Sequence, residues 1–427
     1  MGVDRATALM LTSTALRMLV ALYTVKLTAT TLGLEGVGVV GQFSSLLLVM
    51  TTMAGGGISA GIVHVAAGRP ANTPDLRRRF ASGHAYGLLF SALVCVVIIV
   101  GHRSLAARLL PIEHGADILL LLALAQFGLF HLTALSALVN GRGLQELFAR
   151  SGLLAALAGA GAITVGCLWF GLPGTLIGIL VGALSQWVFL IAAARRALAG
   201  LALLGRPRWH TGDLRFWGRH TLLSLVTVIG MPTAQIAVRQ ALVDTAGWDT
   251  AGTWQAMVRL SDAYLQFALV LLSAIYFPRL AAATTSTERA AIVTGWARWL
   301  LPAALAAGVV LYLGRFVIVP ALFSSSFSAV TALFLPQIAG DALKLASYLF
   351  TYAMLSAGHH KLLMATELLQ AALFWLLVMG LGLQHGAAGV AWCHLLAYII
   401  YLPIVLALHG WARRRSHDAS PTAEASQ

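Results

Sequence analysis

The stretch Trp254-Gln255-Ala256-Met257-Val258-Arg259-Leu260-Ser261-Asp262-Ala263-Tyr264-Leu265-Gln266-Phe267 decides how this chain is read. It lies inside an apolar run from about Thr250 to Leu280, long enough to cross a bilayer. Near the middle of that run stand an arginine, an aspartate and two glutamines. A charge at bilayer depth costs about 2.5–3.5 kcal/mol on insertion scales, so such groups face a cavity rather than lipid. Asp262 is therefore expected to line a water-filled path.

The composition around this stretch agrees. Of 427 residues, 59% are hydrophobic and 10% charged, and the mean hydropathy is +0.85. Soluble domains carry about 25% charged residues, so the expected class is an all-α integral membrane protein. A span needs about 20 apolar residues, which divides the sequence into about twelve transmembrane helices with short connections. They start near Ala8, Gly36, Phe80, Asp117, Ser151, Pro173, Thr221, Thr250, Thr294, Val330, Leu362 and Gly389. The first run holds Arg17 and Lys26 and lacks a small-residue cleavage site, so it is expected to remain as a span.

The net charge is +13, and its distribution points to a membrane rather than to nucleic acid. Basic residues cluster in Arg69 to Arg79, Arg195 to Arg219 and Arg413 to Arg415, whereas the other side holds chiefly Arg103, Arg108 and Arg315. This positive-inside asymmetry puts both termini in the cytoplasm and makes the number of spans even. The cytoplasmic clusters are expected to meet anionic membrane lipids. Cys95, Cys167 and Cys393 fall within spans and read as small buried apolar residues, with neither disulfide nor metal spacing.

The second half of the chain echoes the first. Lys26 and Gln42 lie 16 residues apart, as do Arg239 and Gln255, and the two pairs are offset by 213 residues. Ala194-Arg195-Arg196 closes the first half as Ala412-Arg413-Arg414 closes the second. Two six-helix lobes of the same orientation, a parallel pseudo-two-fold repeat, are expected at 1–196 and 220–411. A cytoplasmic interfacial connection, 197–219, joins them, and a polar, disordered tail follows at 412–427. The run Ala54-Gly55-Gly56-Gly57 suits either close helix packing or local unwinding.

The ionisable residues within spans are Arg17, Lys26, Arg239, Arg259, Asp262, Asp341, Lys344 and, nearer an inner end, Glu367. Asp341 and Lys344 stand three apart on one helix face. A structural reading pairs Arg259 with Asp262 and Asp341 with Lys344, and lets Lys26 and Arg239 reach out to the interface. A functional reading makes Arg17, Lys26, Gln42, Arg239, Gln255, Gln266 and Lys344 the lining of a substrate cavity. Asp262, Asp341 and Glu367 are then ion-coupling or cavity carboxylates. Cations in excess suit a phosphate or carboxylate on the cargo. Gln126 and His131 are milder exceptions in the fourth span.

Several chemistries are set aside by motif. The only lysines are Lys26, Lys344 and Lys361, none preceded by glycine, so there is no phosphate-binding P-loop. No metal-ligand spacing and no nucleophile elbow stand out, and no catalytic residue, metal or cofactor is expected.

These residues carry a family resemblance. Lys26-Leu27 with Gly33, Gly36, Gly38 and Phe43, then Ala54-Gly55 and Gly57-Ile58, begin it. Pro232, Arg239, Trp248-Asp249, Gly252, Trp254-Gln255 and Ser261-Asp262-Ala263-Tyr264-Leu265-Gln266-Phe267 continue it. Gly340-Asp341, Leu343-Lys344, Glu367 and Gln370 complete it. The chain resembles the Wzx-type flippases of the O-antigen and enterobacterial-common-antigen kind, in the multidrug/oligosaccharidyl-lipid/polysaccharide exporter superfamily. Arg259 departs from the pattern, which has a small polar residue there, and Arg17 replaces a lysine.

The resemblance implies a twelve-helix carrier in the bacterial inner membrane with a cationic central cavity. It implies an undecaprenyl-diphosphate-linked oligosaccharide as cargo, lipid III or an O-antigen unit, moved by ion-driven alternating access. Glycan polymerase and chain-length regulator proteins are the implied protein partners. An ion-coupled multidrug exporter of the same superfamily stays open as an alternative. A membrane glycan polymerase or ligase is the alternative of another class, disfavoured by the short outer connections.

Overall fold

The structure, a computed structural model, describes residues 5–67, 73–194 and 207–418. The start of the turn at Arg69, most of the connection from Arg195 and the tail beyond Asp418 lie outside the described residues. Within them the regular structure is helical: α1 (Arg5–Met53), α2 (Ser59–Ala66), α3 (Pro74–Leu109), α4 (Gly115–Gly141), α5 (Gln145–Ala194) and α6 (Thr211–Ile229) come first. There follow α7 (Met231–Leu271), α8 (Phe277–Ala282), α9 (Ser286–Leu322), α10 (Phe334–Ser356), α11 (His360–Leu377) and α12 (Gly386–Asp418). Eight described stretches are long and apolar enough to cross a membrane. The protein is a multi-pass membrane protein.

Three of the longest elements are each two helices meeting at a glycine. The breaks are Gly33 (φ 67°, ψ −164°) in α1, Gly171 (φ 59°, ψ −138°) in α5 and Gly247 (φ 80°, ψ 171°) in α7. L-residues with a Cβ avoid this backbone region, so these glycines mark where the chain turns back. In α5 the two arms run antiparallel. A Cβ at Gly182 would fall 2.9 Å from the Gly159 Cα, and one at Gly178 would meet the backbone of Ala162. Small residues thus bring two backbones together where lipid gives no hydrophobic drive for helix association.

A Cβ at Gly247 meets nothing within 4 Å, which isolates the cost of its backbone. Gly247→Ala is expected to destabilise by about 1–3 kcal/mol through strain alone. Gly295→Ala, in α9 with ordinary φ and equally open space, is expected to be neutral or to stabilise by up to about 1 kcal/mol. Denaturant titration of the two variants in detergent distinguishes them.

The run Ala54–Gly57 is unwound into a 3-10 turn with left-handed Gly55 and Gly56, and it is buried. The Gly55 N–H donates to Ser91 Oγ at 3.0 Å, which satisfies one backbone group freed by the break. Directly after α7 the helix widens into a π turn at Leu272–Tyr276. The Tyr276 hydroxyl there donates to the Leu349 carbonyl at 2.8 Å.

By spatial proximity the chain divides into two compact units, Met1–Ile236 and Ala237–Gln427. The first unit therefore includes Thr221–Ile236, which the sequence reading gives to the second lobe. Its packing supplies the reason. Trp217 of α6 is fully buried in the space left by Gly61 and Gly83, and Ser224 Oγ donates to the Gly57 carbonyl at 2.5 Å. A tryptophan in the stretch expected at the membrane interface instead anchors α6 inside the unit. All three cysteines are free and buried.

Candidate functional site

Arg239, Arg259, Asp262, Asp341, Lys344 and His394 of the second unit lie on α7, α10 and α12. The turn at Gly247 folds α7 back so that Arg239 on one arm meets Gln255 on the other. The Arg239 guanidinium donates to Gln255 Oε1 and lies over the Trp254 ring, 5.4 Å from its centroid. Arg239 is 1% exposed and Gln255 3%. The cation is thus held by an amide oxygen and an aromatic face within its own hairpin, not reaching out to an interface.

Asp341 on α10 is the most heavily hydrogen-bonded carboxylate among the described residues of the unit. Ser261 and Tyr264 of α7 both donate to its Oδ2. Gln337, one turn earlier on α10, donates to Oδ1 at 3.3 Å. His394 of α12 pairs with Oδ1 through Nε2 at 2.9 Å. Asp341 is 2% exposed, so its charge is carried by these donors rather than by water. The sequence pairs Asp341 with Lys344; the structure joins it to His394, 53 residues away. The ring of His394 also meets Tyr398 edge-on at 5.1 Å, and Tyr398 meets Tyr401.

Asp262 sits beside Ser261 but about 100° further round the helix, and it is exposed. So is Gln266, one turn on, while Arg259 is half-buried. Gln255, Arg259, Asp262 and Gln266 follow one another at spacings of four, three and four, which is one face of a helix. α10 repeats this spacing with Gln337, Asp341, Lys344 and Tyr348. Lys344 interacts electrostatically with both Asp341 and Asp262, and Asp262 in turn with Arg259 and His394. Arg239 feels the charge of Arg259. The result is a connected set of charges, three cations to two carboxylates, in which Arg239 and Arg259 neighbour one another and Lys344 acts on both carboxylates.

The sequence reading missed the partners of Asp341 and the regularity of the stripe on α7. The signal for the second was present: the arginine, the aspartate and both glutamines of the opening stretch share one helix face. Arg259, an odd residue against the family pattern, belongs to that face.

Other singled-out residues are placed separately. Glu367 on α11 is exposed, and Gln370 is buried. In the first unit Gln42 is fully buried and Lys26 exposed. Arg17 is half-buried, and a Cβ at Gly152 would lie 3.4 Å from its Nη1 and 3.6 Å from Gln186 Nε2. Gln126 is fully buried. His131 Nδ1 bonds the Phe127 carbonyl at 2.6 Å, and its ring stands edge-on to His84 at 5.4 Å.

No family model matches the chain. Two curated relatives do, each along nearly the whole chain. The Lipid III flippase of Escherichia coli (strain K12) is 29% identical over 417 residues, 97% of this chain and 100% of the relative. The Lipid III flippase of Shigella flexneri matches to the same extent. Among solved structures, Lipid II flippase MurJ in an inward closed conformation superposes with a TM-score of 0.76 at 13% identity, covering 93% of this chain and 87% of MurJ. An inward-facing multidrug resistance MATE family transporter of the MOP superfamily gives 0.70 at 14% identity, covering 95% and 99%. The chain is similar over nearly its whole length to lipid III flippases, and it has the fold shared by MurJ and the MATE transporters.

Proposed function

We propose that the protein is a flippase that carries a polyprenyl-diphosphate-linked oligosaccharide, lipid III or a related unit, across the bacterial inner membrane by alternating access. The observation that carries this reading is the full-length similarity to two lipid III flippases. Polar and charged residues exposed within apolar helices support it, because groups such as Asp262 and Lys26 are too costly to face lipid.

The finer architecture of the proposal has twelve spans in two six-helix halves that repeat in parallel, with both termini cytoplasmic. Left-handed glycines support the repeat. Gly33 and Gly247, Gly143 and Gly358, and Gly171 and Gly386 all have positive φ, and each pair is offset by 214 or 215 residues. Dividing the long helices at these glycines yields the twelve spans. On the same offset Asp341 corresponds to Gln126, and Lys344 to Leu129. The charged network is thus confined to the second half.

In this scheme Arg17, Lys26, Arg239 and Lys344 attract the diphosphate or an acidic sugar, with Gln42, Gln255 and Gln266 as hydrogen-bonding companions. Asp262 and Glu367 face the water path and carry coupling ions, and Asp341 holds the cationic face in register. The sugar and diphosphate cross in water while the polyprenyl tail stays in lipid. The likeness to MATE transporters favours a second reading, ion-coupled drug export. Expression in a flippase-null strain separates them. The flippase reading expects surface glycan to return with the wild-type chain and to fail with Arg239→Ala at normal membrane levels. Drug resistance without glycan rescue would instead establish the exporter.

A further inference from the structure

A concave site lies in the Ala237–Gln427 unit, apart from the charged network. The first turn of α9 contributes Arg289, the turn between α10 and α11 contributes His359, and the end of α12 contributes His409 and Arg413. No carboxylate lines it. The acid nearest in sequence, Glu288, is engaged in the cap of α9, where its Oε2 accepts from the Thr284 N–H at 3.0 Å. His359 and Arg413 are close enough to act electrostatically on His409. Two guanidinium groups and two imidazoles thus share a pocket without an acid, a lining that suits an anion.

Two further observations point the same way. Arg289 Nη2 donates to the Ala283 carbonyl at 3.0 Å, yet its buried Nε has no hydrogen-bond partner among the described residues. The positive end of the α9 dipole lies at the same place. Between the basic groups the wall is apolar, with Val293, Ala353 and Met354. α9 leads from the pocket directly into lipid, since Leu305, Val309, Leu313 and Val317 along it are all exposed.

We propose that this pocket binds the phosphate head of an anionic phospholipid. The basic rim takes the phosphate and the apolar wall takes the first carbons of the acyl chains. Free phosphate would satisfy the rim and leave that wall wet. The pocket opens on the side that bears Arg413 and Arg414, the cytoplasmic leaflet under the positive-inside rule.

Native mass spectrometry of the full chain released from phosphatidylcholine nanodiscs, with and without phosphatidylglycerol, tests this. Wild type is expected to retain one phosphatidylglycerol that the Arg289→Gln/Arg413→Gln variant loses, with affinity falling about fivefold for each arginine removed. His409→Gln, a milder change, is expected to weaken retention in the same direction should the double variant not fold. Arg78→Gln, at an exposed arginine of the first unit, is expected to retain the lipid. Equal retention by the pocket variants, equal loss with Arg78→Gln, or displacement by millimolar inorganic phosphate would overturn the assignment.

Discussion

Replacing Asp341 with leucine is expected to destabilise the protein by about 3 kcal/mol or more, among the largest effects of any single substitution. The carboxylate accepts from Ser261, Tyr264, Gln337 and His394, and it is 2% exposed. Leucine leaves three buried donors, Ser261, Gln337 and His394, and the half-buried Tyr264 without this acceptor. In a membrane a single interhelical hydrogen bond contributes about 0.6 kcal/mol on average, but a buried charged acceptor shared by three helices costs more to remove. Asp341→Asn keeps an acceptor oxygen and is expected to cost about 1 kcal/mol. Denaturant unfolding in a fixed detergent reads both. A loss below about 1 kcal/mol for the leucine variant would mean the network does not hold α7, α10 and α12 together.

The second large effect falls on transport rather than stability. Asp262 neighbours Ser261 in sequence, yet it is exposed and has no part in the bonds to Asp341. Asp262→Asn is expected to change stability by no more than about 0.5 kcal/mol. Flipping should nevertheless fall at least about tenfold, because in the proposed scheme the residue supplies a charge facing the water path between Arg259 and Lys344, where one charge is equivalent to about 1.4 kcal/mol or more of coupling. The pair of measurements separates neighbours. Loss of stability with retained flipping would exchange the roles assigned to Asp262 and Asp341.

Much of the architecture is legible in the sequence because lipid simplifies the rules. Apolar length identifies membrane helices, and the glycines at 33, 171 and 247 end them where the backbone turns. What was not legible depends on distant packing. Trp217 reads as an interfacial aromatic beside arginines, and only the gap opened by Gly61 and Gly83 makes it an interior anchor. His394 reads as a lone histidine in the last span until α12 is brought against Asp341. The local pair Asp341–Lys344 is what spacing alone proposes, and four donors, three from other helices and one from the preceding turn of α10, outweigh it.

Arg259 teaches the opposite lesson. Its departure from the family pattern makes it look incidental. Its place at a spacing of four from Gln255 and three from Asp262 sets it in the polar stripe of α7, half-buried between the Arg239 hairpin and the exposed carboxylate. Helical periodicity within fourteen residues carries that information without any tertiary contact.

The most direct test of the account is leaflet exchange in proteoliposomes that contain only this protein and a polyprenyl-diphosphate-linked oligosaccharide. The purified wild-type chain is expected to make inner-leaflet cargo accessible to an external glycosidase, faster with an imposed ion gradient, and Asp262→Asn to slow this at least about tenfold. Exchange no faster than in protein-free vesicles, under every gradient tried and with correctly folded protein, would contradict it.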